Sequence, residues 1–179
     1  MTTTVDDTPT LDTPNLVVRS PEDADARPLA RVANSWAVAR STESLPHPFS
    51  PEHARAWISQ KPRGEYRFVM IERASERIVG AIGLYVRHED WETGFWVAKE
   101  FWNRGYATEA LRAVAVFAFD ELAIAKLTAS AFVENKAAAR VLDKCGFRRL
   151  GDLPELLPER GGKRLLGWYV LDRDSLIRS

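Results

Sequence analysis

The chain has 179 residues, enough for one well-buried domain and short of two ordinary ones. Its 25 Lys and Arg balance 25 Asp and Glu, so no global basic excess exists to drive sequence-independent binding to nucleic acid. A hydrophobic share of 45% beside 28% charged residues is ordinary globular usage and excludes collagen-like, coiled-coil and wholly disordered classes.

In chain order, residues 1–14 are expected to be a flexible tail, because their acids and prolines offer neither the basic start nor the apolar run of a secretory signal. A single domain then fills 15–179. L-V-V-R from Leu16 predicts a short strand, and Ser20-Pro21 signals a helix whose body runs from Asp25 or Arg27 to Val38 with Pro28 in its first turn. Ala39 to Phe49 is a loop containing two prolines, and Ser50-Pro51-Glu52 restarts a helix to Gln60. Beyond a turn at Lys61–Gly64, the β-branched and aromatic runs Tyr66–Ile71 and Ile78–Val86 predict an antiparallel hairpin, with a third strand at Glu92–Val97.

From Ala107 to Leu122, apolar residues at Leu111, Val114, Ala115, Ala118 and Leu122 keep helical rhythm. Val116, Phe117 and Phe119 widen the stripe, which predicts a helix laid on the sheet. The apolar block Ala110–Phe119 within it is interrupted at Arg112 and ends at Asp120, too short for a membrane span. A strand from Leu127 follows, then a helix capped by Asn135, with Ala138, Val141, Leu142 and Cys145 inward and Gly146 as its stop. Pro154–Pro158 reads as a rigid loop, Gly161-Gly162 as a turn and L-L-G-W-Y-V-L as a closing strand. The fold class is α+β, with a mixed, mostly antiparallel central sheet flanked by helices. Cys145, the single cysteine, leaves no disulfide framework and favours a reducing compartment, the cytoplasm by default.

Chemistry concentrates in F-W-N-R-G-Y-A-T-E-A, residues 101–110, between a strand and the buried helix. Gly105 lets the backbone turn tightly, and no Ser, Thr, Asp or Asn immediately before the helix caps its free amides. Such amides with the positive end of the dipole suit a phosphate or pyrophosphate, and Arg104 adds a charge beside them. The same local pattern also fits an ordinary glycine-bearing turn. Neither G-x-x-x-x-G-K-[ST] nor G-x-G-x-x-G occurs, so kinase and dehydrogenase readings lose their main support.

W-N-R-G-Y-A-T-E-A-L resembles the acyl-CoA pyrophosphate loop of the GNAT N-acetyltransferase superfamily, in particular its RimJ/RimL-like branch, and N-K-A-A-A-R-V-L-D-K-C-G-F resembles the family's next helix. With E-T-G-F-W-V these cover residues 92–147, and R-S-P-E-D-A-D and P-F-S-P-E-H-A-R-A-W-I extend the likeness weakly to 16–171. The resemblance implies acetyl-CoA as co-substrate. Backbone amides of Arg104, Gly105, Tyr106, Ala107 and Thr108 would then hold the pyrophosphate, with Asn103 lining the loop. The Val97 edge would pair with the pantetheine arm, an amide near it would steady the oxyanion, and Asn135 would both cap its helix and contact CoA. It further implies an amine acceptor, a protein N-terminus or a small molecule, attacking the thioester directly.

Glu92 is the leading candidate for the base, set against an ordinary strand-edge carboxylate, with His88, Glu89, Asp90 and Glu134 in reserve. The chain departs from the family on the second helix. Leu142 and Ala138 stand where members carry a Tyr or Ser, and neither can act as an acid, a loss that a readily departing thiolate makes tolerable. Cys145 reads as a buried structural thiol, and His47, His53 and His88 are scattered without metal-ligand spacing, so no metal is expected. Trp91, Trp96 and Trp102 are candidates for an apolar wall. Ala39–Phe49 and Pro154–Gly162 are expected to flank the amine side with mixed charge: Glu43, Glu155 and Glu159 against Arg40 and Arg160. The competing function is a non-catalytic acyl-CoA-binding or sensing domain. No nucleic-acid or membrane partner is expected, and the oligomeric state stays open.

Overall fold

The computed structural model describes residues 8–179, whose strands are β1 (Leu11–Asp12), β2 (Leu16–Arg19), β3 (Tyr66–Glu72), β4 (Arg77–Arg87), β5 (Asp90–Val97), β6 (Lys126–Phe132), β7 (Arg148–Leu157) and β8 (Gly162–Asp172). They form one eight-stranded sheet in the order β1-β2-β3-β4-β5-β6-β8-β7. Every pairing is antiparallel except β5 with β6. The helices are α1 (Ala26–Ala33), α2 (Trp36–Ala39), α3 (Pro51–Ser59), α4 (Tyr106–Asp120) and α5 (Lys136–Cys145).

Strand alternation sends successive side chains to opposite faces, and two cores follow from it. Phe68 and Met70 of β3 join Ile82 and Leu84 of β4 in the main core under α4 and α5. Val69, between them, points the other way into a smaller core with α1 and α3. Ala110, Leu111, Val114, Ala115, Phe117, Ala118 and Phe119 are all buried, so α4 lies on the sheet as its nearly all-round apolar pattern predicts. The Asn135 cap and the left-handed Gly146 stop of α5 also stand where the sequence puts them.

Three expectations need correction. The helix expected to reach Val38 breaks at Asn34, whose Oδ1 accepts the Phe49 amide at 3.0 Å; a short polar side chain here serves the following loop instead of its own helix. Pro154–Leu157, expected to be loop, belongs to β7, with Pro154 opposite Leu165. β7 is an edge strand, where a missing N–H breaks no ladder. Within the expected tail, Leu11–Asp12 pairs with β2, and Glu109 of α4 accepts from Thr13 Oγ1, the Asn15 amide and Asn15 Nδ2 at 2.5, 2.7 and 3.0 Å. Residues 1–7 of that expectation lie outside the described residues.

Candidate active site

β5 and β6 are hydrogen-bonded partners only at Glu92–Thr128 and Thr93–Ala129, although β5 continues to Val97 and β6 to Phe132. The sheet therefore opens into a gap beyond Thr93. The phosphate-loop candidates line one end of it and Glu92 stands where it begins.

At the loop, Asn103 and Gly105 both adopt left-handed backbone, φ 62° and 81°, which turns the chain sharply into α4. Gly105 is the N-cap, and no side chain caps the helix, so the amides of Tyr106, Ala107 and Thr108 have no intrahelical acceptor. A Cβ built on Gly105 meets nothing within 4 Å, so this end of a 15-residue helix faces open space.

The turn is held from beneath by a residue the sequence reading missed. Glu72, 7% exposed at the end of β3, accepts from the Tyr106 hydroxyl, from Arg104 Nη1 at 3.1 Å and from Ser75 Oγ. The Ser75 and Tyr106 hydrogen bonds hold its carboxyl below the usual carboxylate range against the opposing effect of burial, with Arg104 adding to them. The Arg104 guanidinium also lies 5.0 Å over the Phe101 ring. The charge that Arg104 is expected to place beside the amides is paired with Glu72. A carboxylate closing an apolar strand run was the available signal, but nothing local connects it to residues 104–106.

In the β4–β5 ladder, Ala98 N donates to Val79 O at 2.8 Å, so by alternation the backbone groups of Val97 and Phe95 point away from β4 into the gap. The Val97 carbonyl accepts Trp102 Nε1 at 2.7 Å, which leaves its N–H as the group facing the gap. Across the gap, Asn135 Oδ1 caps Ala138 N at 3.1 Å while Nδ2 reaches the Ser41 carbonyl at 3.4 Å. Asn135 thus ties α5 to the α2–α3 loop, a use of its amide beyond the expected cap and CoA contact.

Glu92 is 6% exposed, on the face of the sheet turned toward α1 and α3. Its Oε1 lies 3.2 Å from Ser130 Oγ and 3.5 Å from Arg87 Nη1. Glu43 from the α2–α3 loop and Glu155 of β7 reach the same guanidinium at 3.3 and 3.8 Å, so three carboxylates face one cation. Burial pushes the Glu92 carboxyl above the usual range; Arg87 opposes this and Glu43 adds to it. Tyr85 stands directly across from Glu92, its ring resting over Gly83 and Gly94. The left-handed pair His88-Glu89, read as a two-residue turn, would have fixed that register from sequence; Ser130 and Arg87 gave no local signal.

The remaining candidates fall elsewhere. His88 and Glu89 are exposed at the hairpin tip, Asp90 pairs with Lys126 at 3.0 Å, and Glu134 pairs with Arg164. Trp91 packs on the main core and Trp96 on the smaller one, so of the three tryptophans only Trp102 borders the gap at Val97. Burial pushes the Cys145 thiol up to about 11, which suits packing and not nucleophilic attack. Leu142, 1% exposed, is core. Among the described residues, no group of three His, Cys, Asp or Glu side chains is placed to hold a metal ion.

Residues 15–148 match the acetyltransferase (GNAT) domain family. The chain is 28% identical over 161 residues to YoaA, an uncharacterized N-acetyltransferase of Bacillus subtilis (strain 168), a stretch covering 86% of this chain and 90% of that protein. A solved GNAT-family acetyltransferase from Bacillus anthracis superposes with a TM-score of 0.82 at 22% identity, covering 93% of this chain and 99% of that one. A spermidine N-acetyltransferase from Vibrio cholerae, solved in complex with CoA and spermine, superposes with a TM-score of 0.77 at 20% identity, covering 91% and 98%. At these identities the two structures speak for the shared fold.

Proposed function

The chain belongs to the GNAT acetyltransferase family, and from that premise we propose that it moves the acetyl group of acetyl-CoA to a primary amine, on a protein N-terminus or a small molecule, by direct attack of the amine. The observation that carries this reading is the position of Glu92, a buried carboxylate at the rung where β5 and β6 part.

The gap fits an acyl-CoA. Free amides of Tyr106, Ala107 and Thr108, joined by those of Arg104 and Gly105, suit a pyrophosphate, Asn103 lines the loop, and the Val97 N–H faces the path of the pantetheine arm. When bound, acetyl-CoA supplies an activated acetyl group whose thiol, of pKa about 8.5, departs without a strong acid, so Leu142 on α5 is tolerable. Glu92 takes the proton of the incoming amine. A base whose pKa is raised toward the working pH does this better than an ordinary carboxylate, because its protonated form is less acidic. The carboxylates around Arg87 favour a cationic acceptor at the mouth.

The test has two arms. Thermal unfolding with acetyl-CoA at about 100 times its dissociation constant adds about 2.7 kcal/mol to native stability, a shift of several degrees that CoA shares and ATP and NAD do not. Acetyl-CoA consumption is then followed with spermidine and with peptides bearing N-terminal Ser or Ala, in wild type and in Glu92→Gln. Turnover that the substitution lowers by 100-fold or more, with CoA affinity kept, supports the reading; absence of both a thermal shift and turnover sinks it, and undiminished turnover in Glu92→Gln removes Glu92 as the base.

A further inference from the structure

We propose that Ser130 and Glu43 form the exit by which the proton taken up at Glu92 reaches solvent, Ser130 Oγ passing it between the two carboxylates. The inference rests on the reading of Glu92 as the base, and makes Ser130 and Glu43 positioning residues that act through it.

Ser130 Oγ lies 2.5 Å from Glu43 Oε1 and 3.2 Å from Glu92 Oε1. A hydroxyl has one hydrogen and two lone pairs, so it cannot donate to both carboxylates at once. With the hydrogen on the shorter contact, to Glu43, a lone pair faces Glu92, and that side becomes a hydrogen bond only when Glu92 carries a proton. The three groups therefore hold one proton more comfortably than none. Arg87 fixes their spacing, its Nη1 standing 3.3 Å from Glu43 Oε2 and 3.5 Å from Glu92 Oε1.

Exposure sets the direction. The Glu92 side chain is 8% exposed and that of Glu43 23%, so a proton on Glu92 has little direct access to water while one on Glu43 does. In the step, an amine N–H bond breaks as an O–H bond forms on Glu92. That proton moves to Ser130 Oγ while the hydrogen Ser130 carried moves to Glu43 Oε1, and Glu43 releases it to water. Each O–H bond made is matched by one broken, and Ser130 ends as a hydroxyl turned toward Glu92, ready to rotate back. The other groups facing this unit are Tyr85 across β4, Glu155 from β7 through Arg87, and, around Tyr85, Glu65 and Arg67.

The test uses the fastest amine among spermidine and the Ser and Ala peptides: Ser130→Ala lowers kcat about tenfold at unchanged KM and straightens a curved proton inventory in mixed H2O and D2O, and Ser130→Thr restores both. An inactive Glu92→Gln beside a Ser130→Ala variant of wild-type kcat and inventory sinks the relay and leaves the base standing. A fully active Glu92→Gln sinks both.

Discussion

On one side of the gap between β5 and β6 the proposed binding groups are main-chain amides from consecutive residues at the start of α4; on the other they are side chains brought in by four separate segments, Glu43, Arg87, Glu92 and Ser130. The first kind of site is indifferent to most side chains and fails when a side chain intrudes. The second is indifferent to backbone detail and fails when one functional group is removed. Substitutions should therefore separate the two sides, one moving affinity for CoA and the other moving turnover.

Glu92→Gln is expected to be the largest such effect, a fall in kcat of about 100-fold or more with CoA affinity unchanged in calorimetry. Gly105→Asn comes next. Asn tolerates left-handed backbone, so the fold persists, but its side chain enters the open space and its oxygen competes for the free amides. CoA dissociation should rise about 30-fold, equivalent to about 2 kcal/mol, while the pH profile of residual turnover stays put. Equal losses of affinity and turnover in both variants would erase the distinction between the sides.

Glu72→Gln sharpens the comparison, since Glu72 positions the amide loop through side chains: about a 5- to 10-fold loss of CoA affinity is expected, roughly one charge-assisted hydrogen bond, with kcat at saturation kept. Glu109→Gln should touch neither side. Removing the charged acceptor of Thr13 and Asn15 costs about 1 to 2 kcal/mol, a fall of a few degrees in Tm, with kcat/KM unchanged. Burial works to raise the Glu109 carboxyl, but the bonds from Thr13 and Asn15 outweigh it, so its pKa, like that of Glu72, ends below the ordinary value. In the window between the depressed folded pKa and an unfolded value of about 4.3, the unfolded chain binds more protons. These contributions are thus present above that window and lost as pH falls through it. Glu92 titrates the other way: the rising limb of kcat/KM with pH should sit above the ordinary carboxylate range and vanish in Glu92→Gln.

The amide side was legible in sequence because its information is local. A strand, a glycine, an uncapped helix start and an Asn-capped helix one strand later can be read in order, and Gly105 and Asn135 stand accordingly. The side-chain side was legible only in Glu92 and, as one charge among several, Glu43. Ser130 and Glu43 are 87 residues apart, and no periodicity reports a contact of that span. The misread strands have the same cause. Leu11–Asp12 is too short to show alternation and is anchored by a carboxylate in α4, and a proline in β7 argues against a strand only when the strand is not an edge. Position in the sheet is a global property.

The Arg160 guanidinium donates to the carbonyls of Thr42 and Leu45 at 2.8 and 2.5 Å, and so stitches the turn after β7 to the α2–α3 loop. Glu43 reaches Arg87 from that same loop, and Glu155 reaches it from the end of β7 just before the turn. Under the proposed function, acceptor preference falls to a bonded pair of segments, and a chimera that imports one of them from a relative inherits a mismatched seam. Exchange of 40–49 together with 155–160 is the smallest transplant expected to carry a preference with it.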